Sequence, residues 1–135
     1  MELHLKIAGY LLICLSLLHL SFPRYFKWKT DLAAISLMNR QLMYVHTLFI
    51  AFTTLLMGLL CVYRTEDLRQ TALGREIALG FFLFWLLRLV IQFVGYSPRL
   101  WKGKAFETIV HIVFSLLWIY FCTVFFFTWY VENTE

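Results

Sequence analysis

Charged side chains are scarce in this chain of 135 residues, where they make up only 15% of the sequence. Soluble domains carry about 25% charged residues and about 45–50% apolar ones. Hydrophobic residues here reach 61%, and aromatic residues reach 19%. Because so little charge cannot cover a surface exposed to water, the composition excludes an ordinary soluble domain and predicts an integral membrane protein in a lipid bilayer.

Cysteine is also rare, with three residues, Cys14, Cys61 and Cys122. All three lie inside apolar runs, and an odd number implies no disulfide framework. We expect these cysteines to be small buried apolar side chains.

Several sequence motifs are missing as well. The chain has no glycine-rich phosphate loop, no nucleophile elbow, no internal repeat and no sustained apolar–polar alternation that would indicate a membrane barrel. The net charge of +4 comes from bases that flank apolar runs, so we do not expect nucleic acid as a partner. Without these motifs, the sequence predicts an all-α membrane protein. No residue is indicated as catalytic, so whether the protein is an enzyme stays open.

Four long apolar runs are what the sequence does contain. They predict transmembrane helices at about 5–22, 42–63, 77–96 and 106–131, each near the ~20 residues that cross a bilayer. No small-x-small cleavage site follows the first run, so we expect a retained span rather than a signal peptide. The prediction is one domain, residues 1–135, folded as an antiparallel up-down bundle of four transmembrane helices.

The connectors carry helix-boundary signals. We expect the first span to leave the membrane at the interface around Pro23, and Asp31 to cap a short surface helix. Either Ser36 or Asn39 is expected to cap the second span, and Gly74 is expected to act as a hinge before the third.

Basic residues are distributed unevenly between the two sides of these spans. The first and third connectors together carry seven bases, and the other side carries four. By the positive-inside rule, the two basic connectors lie in the cytoplasm and both termini lie outside. We therefore predict a multi-pass protein of the cell membrane, inner or plasma, in this orientation.

The third span contains an arginine, Arg88. A charged side chain at the bilayer centre costs roughly 2.5–3.5 kcal/mol or more, so such a residue indicates a functional site. Trp85, Arg88, Gln92 and Tyr96 share one helical stripe, which we expect to face protein.

Three histidines are expected in the same leaflet, at the cytoplasmic ends of their spans. These are His19, His46 and His111, and Glu107 lies one helical turn before His111. A carboxylate at that spacing can fix the tautomer of a histidine.

Haem b, in a redox-related module, is the first interpretation of this cluster. His46 and His111 would ligate the iron from facing helices. Arg88, with Arg40 or Lys104, would pair with the propionates, and Gln92 would be a further cofactor-binding residue. A zinc or copper site is a further interpretation, with His46, His111 and His19 as ligands. Glu107 would be either a further ligand or a hydrogen-bond partner of a ligating histidine.

Recognition of a quinone or anionic lipid headgroup is the alternative of a different class. Arg88, Gln92 and Arg40 would bind the headgroup and serve an enzyme or a partner subunit, and the chain would then be an accessory subunit of a membrane complex or a homo-oligomer. A purely structural protein, whose histidines only join helices, also stays open.

The orientation makes a direct labelling prediction. In a variant without the native cysteines, a cysteine placed at Thr30 or Gly103 should be shielded from an impermeant thiol reagent in intact cells, whereas one at Gln70 should react. The reverse labelling pattern would invert the assignment of sides.

Overall fold

The computed structural model describes residues 1–95 and 103–134, the last three by their backbone alone. Its helices are α1 (Glu2–Tyr25), α2 (Trp28–Asp31), a 3₁₀ turn (Leu32–Ala34), α3 (Leu37–Tyr63), α4 (Thr65–Gln70), α5 (Ala72–Val94) and α6 (Ala105–Thr134). No strand occurs in those ranges. Helices α1, α3, α5 and α6 are long and apolar enough to cross a membrane, which confirms the all-α fold and the four predicted spans.

Helix α1 continues beyond the predicted end of the first span. Pro23 lies inside the helix, which ends at Tyr25. Proline fixes a φ value that suits a helix, and in the last turn it removes a single hydrogen bond. Transmembrane helices tolerate such a loss.

The capping prediction is confirmed at Ser36 and wrong at Asp31. The backbone N–H of Asn39 donates to Ser36 Oγ at 3.3 Å and begins α3. Asp31 ends α2 and directly precedes the 3₁₀ turn, but its side chain makes no capping hydrogen bond. The short helix starts earlier than expected because Lys27, with a left-handed φ of 53°, turns the chain just before Trp28.

The chain divides into two compact units, of which one is Lys6–Arg64. In this unit α1 and α3 run antiparallel and approach closely at two glycines. A Cβ on Gly58 would lie 2.7 Å from the carbonyl oxygen of Gly9, and a Cβ on Gly9 would lie 2.9 Å from that of Gly58. Small residues at such a crossing allow two membrane helices to pack backbone against backbone.

The other unit comprises Thr65–Glu135 together with Met1–Leu5. Helices α5 and α6 pair antiparallel, so that Phe81 packs on Phe125 near one end and Gln92 reaches His111 near the other. The contacts between these two helices position the candidate site.

Gly74 lies in the first turn of α5, and its N–H donates to Thr71 Oγ at 2.9 Å. A Cβ at this position would overlap the carbonyl oxygen of Asp67. The expected hinge is therefore a point of close backbone approach, and the break between α4 and α5 occurs at Thr71.

The cysteines differ from one another. Cys61 and Cys122 are buried as expected, but Cys14 is exposed. The buried residues of α1 follow a stripe that includes Leu12 and Leu15, and Cys14 lies off this stripe.

The glycine crossing predicts a contrast between two alanine substitutions. Gly58→Ala should destabilise the protein by roughly 1–3 kcal/mol, because the new methyl group would collide with the backbone of Gly9. Gly80→Ala should be neutral or stabilising by about 0.5–1 kcal/mol, since a Cβ there meets nothing within 4 Å. Unfolding in dodecyl sulfate measures both, and equal stabilities would contradict the packing at Gly58.

Candidate functional site on helices α5 and α6

The side chain of Gln92, in the last turn of α5, is only 5% exposed. Trp85, Arg88 and Gln92 follow one another at helical spacing, and all three contact α6 at Trp118. The predicted stripe therefore faces protein along this length. Its last predicted member, Tyr96, lies outside the described residues.

The amide oxygen of Gln92 accepts two hydrogen bonds. Arg88 Nη1 and Trp118 Nε1 each donate to Gln92 Oε1 at 3.3 Å. Guanidinium and indole nitrogens can only donate, so their positions identify which end of the amide is the oxygen. The orientation of the Gln92 amide follows from its partners.

The amide nitrogen of Gln92 consequently points to His111. Gln92 Nε2 lies 3.1 Å from His111 Nδ1 and 3.4 Å from the carbonyl oxygen of the same residue. Because an amide nitrogen only donates, Nδ1 has to accept. Neutral His111 therefore carries its hydrogen on Nε2.

The other two predicted histidines have the opposite tautomer. His19 Nδ1 lies 2.8 Å from the carbonyl oxygen of Leu15, and His46 Nδ1 lies 2.7 Å from that of Leu42. A carbonyl oxygen only accepts, so in both rings Nδ1 carries the hydrogen and Nε2 keeps its lone pair. A ring whose Nδ1–H is held by a carbonyl oxygen offers its Nε2 lone pair to a metal or haem iron.

The charge of Arg88 lies against an aromatic surface. Its guanidinium carbon is 5.1 Å from the ring centroid of Trp118, which is a cation–π distance. Trp118 in turn stacks on Trp85, with centroids 5.1 Å apart and an interplanar angle of 14°. The indole N–H of Trp85 is buried and has no hydrogen-bond partner in the described part of the chain.

The network lies near the end of α5 and the start of α6. Arg88 is six residues from the end of α5 at Val94, and His111 is six residues from the start of α6 at Ala105. At 1.5 Å per residue, both positions are about 9 Å inside the helix ends. Ser115 Oγ also donates to the carbonyl oxygen of His111 at 2.7 Å.

The remaining predicted site residues are distributed over both units. His19, His46 and Arg40 belong to Lys6–Arg64, so their approach to His111 stays a prediction. His46 is exposed, and Arg40 is half-buried with its Nε unpartnered within the described ranges. Glu107 is exposed in the first turn of α6.

Metal ligation gains no support from this arrangement. Across residues 1–95 and 103–134, no group of three or more His, Cys, Asp or Glu side chains is arranged to hold a metal ion.

Two side-chain contacts in this unit were not predicted from the sequence. Helical spacing places Trp118 on the same face of α6 as His111 and Ser115, but its contacts with Arg88 and Gln92 on α5 were not predicted. The second contact pairs His4 Nδ1 with the Tyr120 hydroxyl at 3.2 Å, beside a cavity of about 270 Å³. No spacing signal connects residues so far apart in the chain.

No family model, no curated protein and no solved structure matches this chain. The function has to be inferred from the residues themselves.

The tautomer pattern is directly testable. In protein labelled with ¹⁵N-histidine at a pH where the rings are neutral, His111 should show the hydrogen on Nε2, whereas His19 and His46 should show it on Nδ1. Single substitutions assign the signals. The same tautomer at all three positions would contradict the assigned orientation of the Gln92 amide.

Proposed function

We propose that the α5–α6 site binds the oxygen-bearing head of a lipid-soluble ligand, either a quinone or an anionic lipid. The observation that carries this proposal is the buried amide of Gln92, which holds Arg88 and His111 in fixed orientations inside a membrane span. A fixed set of hydrogen-bond donors is a recognition element for acceptor groups.

The chemistry of the site favours an acceptor ligand because its polar side chains present donors. Arg88 has five N–H groups and no acceptor, neutral His111 presents Nε2–H, and Trp85 has an indole N–H. A quinone carbonyl and a lipid phosphate both offer oxygen atoms that such donors bind. A phosphate also complements the positive charge of Arg88.

The depth of the site is compatible with such a head group. About 9 Å inside the helix ends, a long arginine side chain reaches the boundary between acyl chains and head groups. Under the predicted orientation this boundary belongs to the cytoplasmic leaflet, where anionic lipids concentrate. A site of this kind suits an accessory subunit of a membrane complex.

Helix joining is the competing explanation for the same network. A purely structural network would give every buried donor a hydrogen-bond acceptor. Trp85 is only 3% exposed, yet its indole N–H lacks an acceptor in the described ranges. Leaving a buried donor without an acceptor costs about 1–3 kcal/mol. An acceptor atom of a ligand would remove that cost only if binding opened a path to this buried N–H.

Binding can be measured in nanodiscs of neutral phosphatidylcholine. Two separate arms add either a short-chain ubiquinone analogue or a small fraction of phosphatidylglycerol, and tryptophan emission is recorded. Arg88→Gln should weaken binding about tenfold or more, since a hydrogen bond to a charged group contributes about 1.5–3 kcal/mol.

The matched control is Arg75→Gln, which removes a cation from the opposite end of α5. Its affinity should equal that of the native protein. The arm that responds identifies the ligand class. No binding in either arm, or equal binding by the Arg88→Gln protein, would refute the proposal in favour of a structural network.

Haem b is the second candidate because the His46 imidazole suits it. The bond from Nδ1 to the carbonyl oxygen of Leu42 leaves Nε2 as a lone-pair donor for iron. The second predicted ligand, His111, does not fit as it stands, because its hydrogen is on Nε2 while Nδ1 accepts from Gln92. Haem binding through His111 would require that bond to break.

An absorption spectrum separates the two candidates. If haem binds, protein from haem-replete cells should show a Soret band that His46→Ala or His111→Ala abolishes and His19→Ala keeps. Gln92→Leu should keep or strengthen the band, because it frees His111 Nδ1 to carry the hydrogen. A colourless protein that takes up no added haem would end this candidate.

A further inference from the structure

We infer that residues 24–29, here called the basic turn, bind the head groups of anionic phospholipids at the membrane surface. The basic turn joins the end of α1 to the start of α2 and belongs to the unit Lys6–Arg64. It shares no residue with the α5–α6 site, so the inference does not depend on the proposed function.

A residue in the left-handed conformation shapes the basic turn. Lys27 has a φ of 53° and a ψ of 46°, and within the described ranges it is the only residue other than glycine with a positive φ. Its N–H donates to the carbonyl oxygen of Arg24 at 3.3 Å, and its own carbonyl oxygen accepts from the N–H of Asp31 at 3.0 Å. One residue therefore separates α1 from α2, and the chain bends at the end of a helix that can cross a membrane.

The aromatic side chains of the basic turn divide into an inner one and two outer ones. Trp28 is only 8% exposed, and its ring packs edge-on against Tyr44 of α3, with centroids 5.4 Å apart. Tyr25 and Phe26 are 65% and 51% exposed, and their ring centroids lie 5.0 Å apart. Trp28 thus anchors the turn to α3, while two adjacent rings remain at its surface.

The cations of the basic turn lack carboxylate partners. Arg24, Lys27 and Lys29 are exposed, and none of them forms an ion pair within residues 1–95 and 103–134. The acidic residue that follows them, Asp31, is exposed as well. Three cations and one carboxylate leave this surface with a net positive charge.

An anionic phospholipid complements both the charges and the rings. Its phosphate pairs with cations, and the boundary between its head group and its acyl chains accommodates aromatic side chains. Because Tyr25 ends a helix long and apolar enough to cross a membrane, the turn emerges where head groups lie. An acidic soluble protein would complement the charges alone, so the continuity with a span favours lipid.

Fluorescence quenching measures the lipid composition around the basic turn. In a variant without the native cysteines, a bimane label is attached through Thr30→Cys, at an exposed position beside the turn, or through Tyr63→Cys, at the far end of α3. Nanodiscs of phosphatidylcholine contain a small fraction of brominated phosphatidylglycerol or, separately, of brominated phosphatidylcholine. The ratio of quenching by the two brominated lipids gives the local preference for the anionic one.

At Thr30 we expect phosphatidylglycerol to be preferred by about threefold or more, because bases near the membrane surface attract anionic lipids. The preference should shrink at about 1 M salt, where the Debye length is about 3 Å. Lys27→Gln/Lys29→Gln should bring the ratio close to one. Lys27→Arg/Lys29→Arg should keep the preference, since it conserves the charge.

Tyr63 is 77% exposed and serves as the control position, where neither double variant should change the ratio. Equal ratios at Thr30 and Tyr63 in the parent protein would overturn the inference, as would an unchanged ratio at Thr30 in Lys27→Gln/Lys29→Gln. A label at Thr30 that neither lipid quenches would overturn it by placing the turn in water. Both lysines lie outside α5 and α6, so these outcomes are separate from ligand binding at the α5–α6 site.

Discussion

The hydrogen bonding of one buried amide determines the state of every polar group around it. Gln92 is 5% exposed and lies in a helix that can cross a membrane, where water does not satisfy polar atoms. Its oxygen is committed to Arg88 and Trp118, and its nitrogen to His111. The orientation of an arginine, the environment of an indole and the tautomer of an imidazole all follow from this one side chain.

The position of the hydrogen on His111 decides between the functional interpretations. With the hydrogen on Nε2, the ring is a donor, which is the state that the proposed recognition of an acceptor oxygen requires. With the hydrogen on Nδ1, as in His46, the ring could ligate iron. A cation, a donor imidazole and an indole around one buried amide suit the proposed polar head group better than a metal.

Much of this arrangement was predictable from periodicity. The four spans and the stripe of Trp85, Arg88 and Gln92 follow from apolar runs and helical spacing, and both are present in the structure. Contacts across helices were not predictable, because their register depends on packing that no local pattern encodes. The partnership with Trp118 and the glycine contact between Gly9 and Gly58 are such cases. Helix α1 continues through Pro23 because a proline in the last helical turn removes only one hydrogen bond.

A double-mutant cycle between Gln92 and Trp118 tests the central role of the amide most directly. Gln92→Leu, Trp118→Phe and the double variant are compared by their free energies of unfolding in dodecyl sulfate. The Gln92–Trp118 hydrogen bond predicts a coupling energy of about 0.5–1.5 kcal/mol. Effects that add to within about 0.3–0.5 kcal/mol would show that the two side chains do not interact and would contradict the account.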